Sequence, residues 1–185
     1  MPLTILPALH TPRLTLRPLT LADTDAVYQM IDVSRDSYSR WFNWSRGSSR
    51  ESVKEYIRQT EEAMTVGTAW HYVAVTPANR LIARLGLTQM DVVNFSAELG
   101  YMLRADSEGQ GLMTEAAHRL LTYAFGSGGL HRIVAYADVE NTPSHQVLRR
   151  LGFQREGTVR HMVCHPERGW RDHHAFGLLE GELRG

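Results

Sequence analysis

The chain has 185 residues, 43% hydrophobic and 22% charged, enough apolar material for one ordinary domain and far from a disordered or collagen-like composition. Twenty Lys and Arg balance twenty Asp and Glu, so no net field draws the protein to nucleic acid or an anionic membrane. The single cysteine, Cys164, excludes an internal disulfide and a multi-cysteine zinc site and fits a reducing cytoplasm.

No apolar run approaches the roughly 20 residues of a membrane helix. Met1 to Thr20 lacks a basic start followed by an unbroken apolar core, so the expectation is a protein neither secreted nor inserted. With no repeat and no long Gly/Ser/Pro linker, residues 1–185 read as one domain. Arg13-Leu14-Thr15-Leu16-Arg17 alternates with period two and predicts a strand closed by Pro18. Amphipathic spacing then predicts two helices, one from Leu21 to about Val33 behind Thr20, the other from Ser48 or Ser49 to about Met64. Between them Trp41-Phe42-Asn43-Trp44 forms an aromatic cluster in a loop setting. The pattern turns to β over Trp70 to Val75, Arg80 to Thr88 and Ala97 to Leu103. Pro77-Ala78-Asn79 and Asn94-Phe95-Ser96 separate these runs and suggest an antiparallel meander. A helix begins near Gly111, carries Met113, Ala117, Leu120, Leu121 and Ala124 on one face, and stops at Gly126, Gly128 and Gly129. Strand Arg132 to Ala137, a short helix from Asn141-Thr142-Pro143 to Gly152, and strands over about Gln154 to Val163 and Asp172 to Leu179 complete the chain. The order is β-α-α-β-β-β-α-β-α-β-β, an α/β (α+β) chain of about seven strands and four helices.

Chemistry is concentrated between Leu99 and Thr114. A strand runs through Asp106-Ser107-Glu108 into Gly109-Gln110-Gly111-Leu112-Met113-Thr114 and then a helix. Two glycines flanking one residue at a helix start let a ligand approach the backbone, and free N–H groups there, reinforced by the helix dipole, form an anion site. The same spacing suits a tight turn with no ligand. A dinucleotide fingerprint fits poorly: four residues precede Gly109, Thr114 replaces the third glycine, and Asp138 follows Gly109 by 29 residues rather than about 20. A P-loop is excluded because Lys54 is the only lysine.

Glu98-Leu99-Gly100-Tyr101, Glu108-Gly109-Gln110-Gly111-Leu112-Met113-Thr114-Glu115-Ala116, Leu130-His131-Arg132-Ile133, Asn141-Thr142-Pro143-Ser144 and Leu151-Gly152-Phe153 together resemble the GNAT superfamily of acyl-CoA-dependent N-acyltransferases, and within it the ribosomal-protein N-terminal (serine/alanine) acetyltransferases. Thr11 to Arg17 and Gly169-Trp170-Arg171-Asp172-His173 extend the resemblance over nearly the whole chain. It implies the GNAT fold, a mixed, mostly antiparallel sheet, with acetyl-CoA as cosubstrate and no metal. It also implies that Tyr101-Met102-Leu103 pairs its backbone with the pantetheine arm while Gly109, Gln110, Gly111, Leu112, Met113 and Thr114 cradle the pyrophosphate. Glu108 stands where the family usually has Gln or Arg, and Met113 where it has Gly or Ala.

Acyl transfer needs an amine in reach of the thioester, donors for the charge developing on the carbonyl oxygen, and an acid for the departing thiolate. The resemblance sets Asn141 and Ser144 beside the sulfur and makes Ser144 the acid; offsets of four and seven align Ser144 with Leu148 and Leu151. Read from spacing alone, Ser144 is a helix cap rather than an acid. Glu98 is the candidate base, although a lone strand glutamate is usually a salt-bridge partner or an exposed edge carboxylate. Relatives with a glutamate on the strand after Leu-Gly-Phe place it where Val163 stands here. An α-amine, with a pKa of about 7.7 to 8.0, needs less help than a lysine at about 10.4, so a weak base fits a protein N-terminus. Polyamine, aminoglycoside or amino-acid amines remain alternative acceptors. Trp41, Asn43 and Trp44 fall where the family forms its acceptor groove, and equally anchor a loop. A noncatalytic acetyl-CoA-binding module would share the cofactor motif but not require Ser144. His161, Cys164, His165, His173 and His174 crowd the last third without regular zinc spacing, and Cys164 as an acetyl carrier is the less simple route. The C-terminal β segments permit a homodimer. Local charge is uneven: Asp91 to Glu115 holds five acids against one arginine, net −4, and Arg149 to Arg171 six arginines against two acids, net +4. Phosphate binding therefore rests on backbone donors, with Arg149 or Arg150 reaching the outer phosphate.

Overall fold

The structure, a computed structural model, describes residues 6–185; the first five positions of the Met1 to Thr20 stretch lie outside the described residues. In chain order the elements are β1 (Leu9–His10), β2 (Thr15–Pro18), α1 (Thr24–Val33), α2 (Arg35–Tyr38), α3 (Arg50–Thr65), β3 (Trp70–Val75), β4 (Leu81–Asp91), β5 (Ser96–Leu103), α4 (Leu112–Phe125), β6 (Arg132–Asp138), α5 (Thr142–Leu151), β7 (Gln154–His165) and β8 (Gly169–Leu179). The strands form one sheet in the order β1-β2-β3-β4-β5-β6-β8-β7. Every neighbouring pair is antiparallel except β5 and β6.

The expected seven strands and four helices are all present, joined by two short elements, β1 and α2. Leu21–Asp23 forms a 3-10 turn ahead of α1. Capping fixes where the helices begin. Ser49 Oγ accepts from the Ser52 N–H at 3.1 Å while Ser52 Oγ accepts from the Ser49 N–H at 2.9 Å, so α3 starts one turn after the aromatic cluster.

Alternation along the strands divides two cores between the faces of the sheet. On one face Tyr72, Ala74, Leu85, Ala97 and Leu99 meet Ala116, Ala117, Leu120, Leu121 and Ala124 of α4 and Leu148 and Leu151 of α5. On the other, Val73, Val75, Leu81 and Met102 meet Val27, Met30 and Ile31 of α1 and Val53 and Ile57 of α3. Each fully buried aliphatic side chain contributes roughly 1.5 to 3 kcal/mol. The central strands are thus held rigidly from both sides.

Candidate functional site

β5 and β6 pair only from Ser96↔Arg132 to Glu98↔Val134. Beyond that point the strands part, leaving the edge of β5 from Leu99 to Leu103 without a ladder partner on that side. The opening is a cleft of about 650 Å³, walled by β5 and the end of β6 and closed by the first turns of α4 and α5.

At one end lies the glycine loop. Gly109 and Gly111 both have φ of +74°, a left-handed conformation costly for residues with a Cβ. Glu115 ties the loop to the N-terminal segment, accepting from Thr11 Oγ1 at 2.6 Å and Arg13 Nε at 2.6 Å, and Arg13 donates to the Gln110 carbonyl at 3.0 Å. Among the described residues no acceptor meets the N–H groups of Gly109, Gln110, Gly111, Leu112, Met113 or Thr114. Thr114 Oγ1 is also buried without a partner. Consecutive free donors at the positive end of α4 suit a phosphate group.

At the middle of the cleft stands α5. Asn141 Oδ1 accepts from the Ser144 N–H at 3.2 Å, so Asn141 is the cap and Ser144 sits inside the first turn. The Ser144 hydroxyl instead shares a 2.8 Å hydrogen bond with Tyr101 OH. Burial pushes the Tyr101 phenol up, against a smaller pull from Ser144, so it stays protonated at neutral pH. Glu98, on the opposite face of β5 from Tyr101, is half-buried; burial pushes its carboxyl up, and Gln89 Nε2 donates to it at 3.1 Å.

The cleft therefore brings together Trp41, Glu98, Tyr101, Met102, Leu103, Gly109, Gly111, Leu112, Met113, Thr114, Asn141 and Ser144, with Arg150 among its lining residues. Gln110 does not line it and contributes backbone only. The aromatic cluster divides. Trp41 lines the cleft beneath the guanidiniums of Arg40 and Arg168, 5.0 and 5.6 Å from its ring centre. Phe42 stacks on Trp44 at 5.4 Å, and Trp44 enters a second pocket of about 180 Å³. Asn43 is exposed and lines neither.

The second pocket meets the cleft at Phe42, Gly100, Tyr101 and Met102. Tyr56, His71 and Arg84 complete it, residues the sequence reading did not single out. The available signal was a charged residue inside the apolar run Leu81-Ile82-Ala83-Arg84-Leu85. Gly86 makes the pocket possible, since a Cβ there would stand 2.7 Å from His71 Nδ1. His173, with a buried Nδ1 that meets no partner, and Asp138 also border the main cleft. Asp138 is held below the usual carboxylate range although burial opposes ionisation, because Arg171 Nε and Nη2 donate to it at 2.9 and 3.0 Å.

His161, His165 and His174 have local partners. His165 Nε2 is 2.8 Å from the Ser39 carbonyl, His174 Nδ1 is 3.0 Å from Thr158 Oγ1, and His161 stacks on Trp170. Among the described residues no three His, Cys, Asp or Glu are grouped to hold a metal ion. No helix among them is long and apolar enough to cross a membrane.

Residues 13–154 match the family model described as acetyltransferase (GNAT) domain. The chain is 32% identical over 178 residues to the uncharacterized N-acetyltransferase p20 of Bacillus licheniformis, covering 96% of this chain and 98% of that protein. It is 27% identical over 135 residues to the ribosomal-protein-serine acetyltransferase of Escherichia coli, covering 72% and 75%. Its fold superposes on that of RimL, a ribosomal L7/L12 α-N-protein acetyltransferase in complex with coenzyme A, with a TM-score of 0.88, 21% identity and coverage of 94% and 98%. The parted parallel strands, the donor loop and these matches agree, and the chain belongs to the GNAT family of acetyltransferases.

Proposed function

We propose that this acetyltransferase moves the acetyl group of acetyl-CoA directly onto the α-amine of a protein N-terminus, with ribosomal proteins as the first class to test. The observation that carries the reading is the seam between β5 and β6, with six unused N–H groups at one end and the Ser144–Tyr101 pair in the middle. Acetyl-CoA supplies, when bound, an acetyl group activated as a thioester. Gly109 to Thr114 hold the pyrophosphate through their N–H groups, and the Thr114 hydroxyl gains a partner there. Backbone groups of Tyr101 to Leu103 align the pantetheine arm along the free edge of β5, and one N–H of that edge faces the carbonyl oxygen on which charge develops. Ser144 gives a proton to the departing sulfur, and Tyr101 holds the serine hydroxyl in place. Glu98, its affinity for protons increased by burial, takes the proton from the amine directly or through a water.

The acceptor draws support from the relative in Escherichia coli, whose name is that of a ribosomal-protein acetyltransferase. Trp41 and Trp44 supply aromatic walls where acceptor peptide would pass. A ribosomal acceptor puts the enzyme in the cytoplasm, where the exposed free thiol of Cys164 is stable. The long outer strand β7 is the edge through which a homodimer would pair.

The test is release of free CoA from acetyl-CoA with N-terminal peptides of ribosomal proteins, the same peptides blocked at the α-amine, spermidine and an aminoglycoside. Turnover on the free peptides alone is expected. Turnover on spermidine or the aminoglycoside with none on any free peptide would overturn the reading.

A further inference from the structure

Arg84 occupies β4 between buried Ala83 and Leu85. Six half-buried arginines, Arg17, Arg35, Arg104, Arg132, Arg168 and Arg171, each carry a carboxylate, whereas half-buried Arg119 of α4 has no carboxylate partner among the described residues. Arg84 carries none among the described residues. Its guanidinium carbon lies over the Tyr56 ring, 4.3 Å from the ring centre. A guanidinium drawn partly out of water without an anion is a standing electrostatic cost, and an arriving anion relieves it.

Its position gives that anion a place. Arg84 pairs with Met102 and Gly86 with Gly100, so Arg84, Gly100 and Glu98 share one face of the sheet. A Cβ built on Gly100 meets nothing within 4 Å, which leaves open the place where the second pocket joins the cleft. Along that face, Arg84 stands one alternate step to one side of Gly100, about 7 Å at the strand rise, and Glu98 one step to the other. No acidic side chain lines the second pocket. His71, beside Arg84, is pushed down to about 4 by burial and by the Arg84 charge, so it adds no competing cation at neutral pH.

We propose that the second pocket reads a carboxylate carried beside the acceptor amine, with Arg84 as the residue that binds it and so excludes polyamines. Resting on the α-amine reading above, the amine lies toward Glu98 and the carboxylate toward Arg84. That carboxylate is an acidic side chain at the start of a peptide or the α-carboxylate of a free amino acid, and the pocket has room for about one side chain. The fixed positive charge repels a second ammonium group.

Steady-state kinetics on the full chain, with the wild type, Arg84→Gln, Arg84→Lys and Arg84→Glu, test this. The acceptors are peptides whose first or second residue is Glu, Gln or Lys, together with free glutamate and spermidine. The wild type should favour the Glu peptide over its Gln counterpart by about tenfold or more in kcat/KM, as a charge-assisted pair lost to a neutral partner predicts. Arg84→Lys should keep the preference, Arg84→Gln should collapse the ratio toward one, and Arg84→Glu should favour the Lys peptide, with the KM for acetyl-CoA unchanged throughout. Better turnover of free glutamate than of any peptide would support the carboxylate assignment and assign it to an α-carboxylate, overturning the protein acceptor. Equal turnover of Glu, Gln and Lys peptides would overturn the Arg84 proposal and leave the α-amine reading intact. Turnover of spermidine alone would overturn both. Should Arg84→Gln fail to fold, the wild-type ratio and its reversal in Arg84→Glu still decide.

Discussion

Ser144 is the third residue of a helix whose cap is Asn141, and its hydroxyl is 2.8 Å from the hydroxyl of a half-buried tyrosine. A merely local capping serine would have its oxygen turned to its own backbone; this one is turned across the cleft. Offsets of four and seven to Leu148 and Leu151 in the sequence were enough to aim it at the sheet, because helix geometry is local. The partnership with Tyr101 was not readable, since it joins residues 43 positions apart across the seam. Two substitutions separate the roles at this scale. Ser144→Ala should lower kcat by about tenfold or more with little change in acetyl-CoA affinity, in line with losing an acid. Glu98→Gln should remove Glu98's share of the acid limb of the pH profile, leaving the part set by the acceptor α-amine, with a pKa of about 7.7 to 8.0. In the wild type kcat/KM should fall as pH drops through the raised pKa of Glu98, because only its ionised form accepts the amine's proton. Unchanged kcat in the first variant, or an unchanged acid limb in the second, would contradict the assignments.

At the scale of elements, the end of β6 is pinned by a charge pair. Asp138 is 5% exposed and Arg171 of β8 donates to both its oxygens. The same carboxylate accepts from the Glu140 N–H at 2.9 Å, so it also shapes the turn that launches α5 and with it Ser144. Its pKa is lowered in the folded state, so the pair adds stability that is present above the ordinary carboxylate pKa and lost as pH falls through the folded value. Arg171→Gln should cost about 2 kcal/mol at pH 7, the order of a hydrogen bond to a charged group. The gap to the wild type should close in acid below about pH 4, where Asp138 is protonated without its partner's help. A gap in thermal stability that does not vary with pH would contradict this. Periodicity made most elements legible: the apolar run Trp70 to Val75 became β3 with those bounds, and Asn141 and Gly152 bracket α5. β1 and α2 were not legible, because two and four residues are too few to show a period. β4 runs on to Asp91, past the expected Thr88, because its register against β5 shifts between those residues.

Over the whole molecule the sheet separates two approaches to one seam. Ser144 and Tyr101 stand on the α4–α5 side, and Glu98, Gly100 and Arg84 on the α1–α3 side. Alternation along β5 fixes that division, yet a strand pattern does not say which face receives which ligand, which is why the Tyr56, His71 and Arg84 pocket escaped the sequence while the glycine loop did not. Asn43 escaped in the opposite sense: its neighbours Trp41 and Trp44 reach the two cavities and it faces solvent. Zero net charge conceals a related division. The acidic stretch from Asp91 to Glu115 includes the loop, so the phosphate contact proposed there is through backbone donors, with Arg150, which lines the cleft, as the proposed side-chain supplement. Amide hydrogen exchange with and without acetyl-CoA tests this claim most directly. Slowed exchange should appear at Gly109 to Thr114 and along Leu99 to Leu103. Tight binding that left those amides unprotected would contradict it.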